Sequence, residues 1–239
     1  MNIENGQRSK AHIPIAIRMF NNCDSRTNGE HQFFTKIRDH IDIVFDVGCR
    51  TDSEYVAFQG EVHYFDPIPS YIQTLSSQPN LNRRYVFNEC GLGKENKQVY
   101  YYPRFQSCLD RVKSCQVSDD VNKIVCHIRN AKSYMIEHEL THIDFLKIDT
   151  EGYELEVLQG FEDYLNRVNI IQFEYGGTFL DSGVTLRDIM QYLQAHGFEG
   201  FSYLTAEGPV PITDDTDHYQ YCNIVCVNKN SPLSHILKK

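Results

Sequence analysis

Short runs of β-branched and aromatic residues recur from residue 41 onward, each closed by turn residues and followed by a polar or helix-period stretch. They are Ile41–Phe45, Glu61–Phe65, Arg84–Asn88, Ile143–Ile148 and Val168–Phe173. That alternation predicts an α/β domain with a mostly parallel sheet. Between the third and fourth runs, Gln98–Tyr102 and Lys123–Ile128 read as an antiparallel excursion, with a polar, mobile loop over Cys108–Asn122. From Thr185 to Gly197 the period changes. Leu186, Ile189, Met190 and Leu193 fall on one helical stripe, with Thr185 and Asp188 suited to its start and Gly197 to its end. Phe201–Leu204 and Tyr219–Val227 then predict a closing hairpin. Residues 1–30 mix Asn, Ser, Arg and Gly around one apolar patch, Ile13–Ile17, and read as a loosely attached leader able to cover a site. The organisation expected is an extension over residues 1–40, one domain over 41–230 and a tail over 231–239.

At 239 residues and 41% hydrophobic content, the chain can fill a single core. Lys and Arg number 23 against 32 Asp and Glu, a formal charge of -9 with no basic run, which argues against nucleic acid as a partner. No stretch approaches the ~18 consecutive apolar residues of a membrane span, and the polar N-terminus lacks the apolar core of a secretory signal. The eight cysteines are scattered singly, which suits reduced thiols in a cytoplasm better than a disulfide frame. Cys222 and Cys226 share a strand face and read as packing residues, since no second Cys/His pair has zinc-ligand spacing.

In an open α/β sheet, ligands sit beyond the carboxyl ends of the strands. The first run leads into Asp46-Val47-Gly48-Cys49-Arg50, where Gly48 permits a tight turn and Asp46 can accept hydrogen bonds from an amine. A dinucleotide fingerprint needs further glycines where Arg50 and Ser53 stand, so a phosphate-free cofactor fits better than NAD or FAD. Asp66, followed by Pro67, is placed to take ribose hydroxyls, or else to cap a helix. After the third run, Glu89-Cys90-Gly91-Leu92 offers a surface for an aromatic base. The fourth run opens an acidic turn, Asp149-Thr150-Glu151-Gly152, and the fifth ends at Glu174-Tyr175 before Gly176-Gly177. Asp149 and Glu174 therefore converge, and like charges that converge require a proton, a cation or a divalent metal between them. Among the 15 tyrosines, Tyr175 is placed best to stack on a sugar ring. His138 and His142 precede the fourth run at the wrong end of the sheet, whereas His218 faces the site only if the last strand is antiparallel.

Val44–Gly48, Tyr64–Pro67, Ile171–Gly177 and above all Leu146-Lys-Ile-Asp-Thr-Glu-Gly-Tyr-Glu-Leu-Glu-Val-Leu158 resemble the FkbM family of methyltransferases, the likeness extending over about residues 41 to 227. The resemblance implies a Rossmann-like class I methyltransferase domain, a seven-stranded sheet ending in an antiparallel hairpin, and S-adenosylmethionine as cofactor. It implies a hydroxyl acceptor on a sugar, glycan, lipid or secondary metabolite. By position, Asp46, Gly48, Cys49 and Arg50 would line the methionine part, Asp66 with Pro67 the ribose, and Glu89, Cys90 and Gly91 the adenine. Asp149 would lie at the cofactor and, with Glu174 and Tyr175, at the acceptor. Asp52 stands where members often have glycine. The expected reaction is O-methylation of a carbohydrate hydroxyl, for instance on a deoxyhexose such as rhamnose. Either Asp149 or Glu174 would act as general base, or the two would hold magnesium or manganese. The competing readings are an NAD-dependent oxidoreductase, which the missing glycines disfavour, and a degenerate methyltransferase fold serving as a binding subunit.

Overall fold

A computed structural model of the chain describes residues 20–237, apart from residue 80, residues 113–114 and residues 117–121. In chain order the strands are β1 (Ile43–Val47), β2 (Glu61–Phe65), β3 (Tyr85–Asn88), β4 (Gly91–Gly93), β5 (Lys97–Tyr101), β6 (Arg111–Val112), β7 (Cys115–Gln116), β8 (Ile124–Asn130), β9 (Ile143–Ile148), β10 (Val168–Tyr175), β11 (Phe198–Tyr203), β12 (Val210–Pro211) and β13 (Cys222–Asn228). The helices are α1 (Glu30–Ile37), α2 (Pro69–Ser76), α3 (Ala131–Glu137), α4 (Glu154–Gly160), α5 (Thr178–Ser182) and α6 (Leu186–Ala195).

The main sheet has the order β12-β11-β13-β10-β9-β1-β2-β3. Strands β1, β2, β3, β9 and β10 are parallel, while β13 pairs antiparallel with both β10 and β11. The sheet is thus mixed and eight-stranded rather than mostly parallel and seven-stranded. Its eighth strand is β12, two residues long and paired antiparallel with β11, and Pro211 suits it to an edge. The closing antiparallel pair is present as β11 and β13. The chain moves outward from β1 to β3 and then returns to place β9 on the other side of β1. That reversal of strand order opens a crevice at the carboxyl ends of β1 and β9. A second sheet, β4-β8-β5, contains the expected antiparallel excursion, and residues 117–121 of its loop lie outside the described residues.

Alternation along the strands divides the core between two faces. Phe45, Leu146, Phe173 and Ile224 point to the face covered by α3, α4 and α6, and Cys222 and Cys226 pack there too. Val44, Phe145, Ile170 and Val225 point to the other face, with α1 and α2. Helix α6 buries Leu186, Ile189, Met190 and Leu193, and its capping box pairs Thr185 with Asp188.

The described parts of the expected extension and tail pack against the domain. Phe33, Phe34 and Ile37 of α1 and Leu233 and Ile236 near the C-terminus are buried in the second cluster, where apolar side chains at helical spacing find the face left open by β1 and β9. Lys36 Nζ joins the two segments through a hydrogen bond to the Ile236 carbonyl (3.1 Å). The apolar patch Ile13–Ile17 lies outside the described residues. Among the described residues, no helix is long and apolar enough to cross a membrane.

Candidate active site

In-register strands place a polar row on one face of the sheet. Asp46 of β1 is the register partner of Lys147 of β9, which is the partner of Gln172 of β10. In a parallel sheet such partners point to the same side. Glu174 follows two residues after Gln172 and extends the row, and α1 brings Glu30 over it: Gln172 Nε2 donates to Glu30 Oε2 at 2.7 Å. Beyond the strand tips, the loop after β1 is tied back by Gly48 N to Phe65 O (2.8 Å), and Asp149 N donates to Val47 O (2.9 Å). Gly48 has φ +87, and a Cβ there would lie 1.8 Å from the Asp149 carbonyl oxygen, so only glycine lets the two loops meet. Arg50 (φ 52) and Glu151 (φ 53) are held in the left-handed region, so both loops of the crevice carry backbone strain.

Two cavities share this rim. The first is a cleft whose apolar lining includes Ile68, Tyr71, Leu92, Tyr101 and Tyr153, with Asp66 also lining it. The second encloses about 650 Å³ and is lined by Glu30, Asp46, Glu54, Lys147, Glu174 and Tyr221, among others. Gly48, Arg50, Asp149 and Glu151 belong to both.

Asp66 accepts hydrogen bonds from Arg50 N (3.1 Å) and Ile68 N (2.9 Å), and burial raises its pKa to about 6. Each oxygen keeps a further lone pair for a ligand. The residue thus serves the turn into α2 and faces the cleft as well. Asp46 is buried and accepts from Ser53 Oγ at 2.5 Å, while its Oδ1 has no hydrogen-bond partner. Burial raises its pKa. Lys147 Nζ lies 3.1 Å from Asp149 Oδ2. Burial would discharge this ammonium, but the charges of Asp149, Asp46 and Glu30 hold it well above its ordinary pKa. Burial likewise opposes ionisation of Asp149, and Lys147 outweighs it, keeping that carboxyl below the ordinary range. Glu174 moves the other way: burial, the Asp149 charge and the hydrogen bond the two share push it well up. The pair holds its proton on Glu174, whose Oε2 is buried and unpartnered.

The acidic turn is itself pinned. Glu154 Oε1 accepts from Thr150 N (3.0 Å), Thr150 Oγ1 (3.0 Å) and Gly152 N (3.2 Å), which orients Glu151 beside Asp149. Asp149, Glu151 and Glu174 each offer a carboxylate oxygen within 4.8 Å of the others, a spacing that could hold a divalent ion. The Lys147 ammonium already meets this group, so the charge that convergence demands is supplied within the chain.

Of the residues expected from sequence, Gly48, Arg50, Asp66, Pro67, Gly91 and Asp149 line the first cleft. Asp46, Cys49 and Glu174 line the second cavity, with Asp52 at its exposed edge. Three others lie away from both cavities. Glu89 is exposed and bonded to Gln73 Nε2 (3.0 Å), because β3 ends at Asn88 and the chain turns toward α2. Cys90 is buried in the core and lines neither cavity. Tyr175 is one residue out of phase with Glu174 and so points into the opposite face. There its hydroxyl donates to Asp217 (2.9 Å) and accepts from His218 N and Tyr219 N. His218 stacks on Phe20 and lines neither cavity, although β13 is antiparallel. Lys147, Glu30 and Glu54 were not singled out. A lysine inside the apolar run Ile143–Ile148 was the one local signal among them.

A model of the family described as the methyltransferase FkbM domain matches residues 46–199. The chain belongs to this family. The FkbM match contains Asp46, Asp66, Asp149 and Glu174, whereas Glu30 and Tyr221 of the second cavity lie outside it. No curated protein matches the sequence. Solved structures that share parts of the fold include precorrin 8W decarboxylase of Methanobacterium thermoautotrophicum (14% identity, TM-score 0.42, covering 88% of this chain and 97% of that one). Others are the N-terminal domain of human METTL16 in complex with SAH (13%, 0.43, 84% and 68%) and the plantazolicin methyltransferase BpumL in complex with SAH (10%, 0.43, 83% and 82%).

Proposed function

We propose that this FkbM-family chain is an S-adenosylmethionine-dependent O-methyltransferase acting on a hydroxyl of a carbohydrate acceptor, a deoxyhexose being one example. The observation that carries the reading is the shared rim. An apolar-walled cleft that Asp66 helps to line meets an acid-lined cavity at Gly48, Arg50, Asp149 and Glu151. In this reading the cofactor spans the rim. Tyr71, Leu92 and Tyr101 take its base, Asp66 its ribose hydroxyls, and the unpartnered Asp46 Oδ1 its ammonium, while the methyl group is presented to the second cavity. Bound there, adenosylmethionine supplies a methyl group already activated on a sulfonium.

The chain's own work is alignment, exclusion of water and handling of one proton. Glu174 is the base in this scheme. Its raised pKa makes it a strong acceptor once ionised, and a cation brought beside it favours the ionised form. Asp149, fixed as an anion by Lys147, positions the acceptor hydroxyl and keeps Glu174 basic. Asp149, Glu151 and Glu174 are the residues that would hold magnesium or manganese, and a bound metal would supply Lewis-acid activation of the hydroxyl. Lys147 competes directly for that place, so the metal-free base is favoured here. The unpaired thiols of Cys23, Cys49, Cys90, Cys108, Cys126, Cys222 and Cys226 support a cytoplasmic setting. The excess of acidic side chains supports a small-molecule or carbohydrate partner rather than nucleic acid.

The test is transfer of a labelled methyl group from adenosylmethionine to a panel of sugars, with and without EDTA. Label appearing in an alkali-stable methyl ether supports the reading, and loss of activity with EDTA would reassign Asp149 and Glu174 as metal ligands. Bound adenosylhomocysteine with no transfer to any hydroxyl would favour the binding-subunit alternative.

A further inference from the structure

Strand β13 runs antiparallel to β10, so it begins at the carboxyl end of the parallel strands, where the second cavity lies. Asn223 is the register partner of Glu174, and such partners point to the same side of the sheet. Tyr221, two residues earlier, falls on that side as well, just ahead of the strand. It lines the second cavity and not the first. The N-terminal segment fixes its backbone in both directions: Asn21 N donates to Tyr221 O (2.8 Å), and Tyr221 N donates to Asn21 Oδ1 (3.0 Å).

A chain of hydrogen bonds decides what the Tyr221 hydroxyl has left to give. Glu30 Oε2 offers an acceptor, so Gln172 meets it with the amide nitrogen, at 2.7 Å. The second hydrogen on that nitrogen goes to Asn223 Oδ1 (3.2 Å). Asn223 therefore turns its own nitrogen to Tyr221, whose hydroxyl oxygen accepts at 3.3 Å. A phenol that accepts there keeps its own O–H to donate, and among the described residues no acceptor takes that hydrogen. Burial, and after it the charges of Glu30, Glu174 and Asp149, push the pKa of the phenol upward. The hydroxyl thus stands, as a protonated donor, among the carboxylates of the second cavity.

Resting on the O-methyltransferase reading, we infer that Tyr221 determines how the acceptor is held: its O–H donates to an acceptor oxygen other than the one Glu174 serves. Ionised carboxylates only accept hydrogen bonds, so a neutral donor among them selects a ligand that presents a lone pair at that point. Two contacts of opposite sense then orient the acceptor. Glu174 takes a hydrogen from the reacting hydroxyl, and Tyr221 gives one to a second oxygen of the same molecule. Tyr221 lies outside residues 46–199, the part of the chain that the family model matches, which suits a group that sets the acceptor rather than the cofactor.

The experiment is methyl transfer by the full chain to the methyl glycosides of rhamnose, fucose, glucose and mannose, repeated with the monodeoxy analogues of the best acceptor among them. Tyr221→Phe keeps the ring and removes only the hydroxyl; Asn223 loses an acceptor in this variant, so its melting temperature is recorded alongside. The acceptor KM should rise about threefold to tenfold, as on loss of a neutral hydrogen bond, with kcat and adenosylhomocysteine affinity within about twofold of wild type. One deoxy analogue should show the same KM rise with wild type and no further rise with the variant, because the bond is already gone. A merely structural role would instead give losses that multiply with every analogue. Multiplying losses, an unchanged KM, or an equal fall in adenosylhomocysteine affinity overturns the inference and leaves the methyltransferase reading standing. Transfer to none of the glycosides by wild-type protein overturns both.

Discussion

Replacing Lys147 by methionine removes the positive centre of the polar row while keeping most of its volume. Three carboxylates, Asp149, Asp46 and Glu30, then face one another across the sheet without the ammonium that holds them. At the 3.1 Å separation of Lys147 and Asp149, the Coulomb attraction is about 5 kcal/mol with an effective dielectric near 20. Part of that is returned because the ammonium no longer has to be desolvated, so the net loss should be about 3–5 kcal/mol. For a chain of this size, that lowers the melting temperature by roughly 10 °C. The loss must also depend on pH. In the wild type, Asp149 is held below its ordinary pKa, so its contribution is complete above the unfolded-state pKa and is lost only in strong acid. Without Lys147 its pKa rises above the unfolded value, so the variant is penalised most at neutral pH and recovers as the carboxyl takes up a proton. The stability gap should narrow by up to about 1.4 kcal/mol per pH unit as pH falls from about 7 toward 5. Urea unfolding at several pH values measures this. A gap under about 1 kcal/mol that does not change with pH would refute the role given to Lys147.

Gly48→Ala combines a positive φ with a Cβ placed on the Asp149 carbonyl, so it should cost at least about 2 kcal/mol and weaken adenosylhomocysteine binding; unchanged denaturation and titration curves would contradict the packing of the two loops. Glu154→Ala frees three donors and should cost about 2–3 kcal/mol, whereas Glu154→Gln keeps an accepting oxygen and should be tolerated at neutral pH, as thermal unfolding of the two variants would show. Glu54 and Glu154 titrate at about 7 in the folded chain against an ordinary 4.5, so between those values the folded state binds more protons than the unfolded one. The ligand-free protein should therefore lose stability as pH rises through that window, measured by melting temperature from pH 5 to 8; a stability rising across it would reverse the assignment.

The sheet was readable from the sequence wherever alternation was local. Glu61–Phe65 and Ile143–Ile148 are strands over the ranges expected, and Thr185–Gly197 brackets α6 with its capping box. The strand-tip acids were readable for the same reason, since a turn after an apolar run points to the carboxyl end of a strand. What the sequence did not show depended on side-chain parity or on distant partners. Tyr175 and Glu174 are adjacent, and only the side on which β10 buries its aromatics decides which of them faces the cavity. Glu30 has no local sequence signal that marks it as buried. Its burial comes from Gln172, 142 residues away in sequence. Lys147 was visible as an oddity in an apolar strand, but its meaning required the registers that set it between Asp46 and Gln172. The two-residue β12 has too few residues to show any period.

The central claim is that the crevice at β1, β2 and β9 binds adenosylmethionine through Asp66, and calorimetric titration with S-adenosylhomocysteine tests it most directly. The account predicts one equivalent bound with micromolar affinity by the wild type, and a loss of at least about a hundredfold in Asp66→Ala with the circular dichroism spectrum retained, as expected when hydrogen bonds to a buried charged group are removed. Absence of binding by folded wild-type protein, or equal binding by the two proteins, would contradict it.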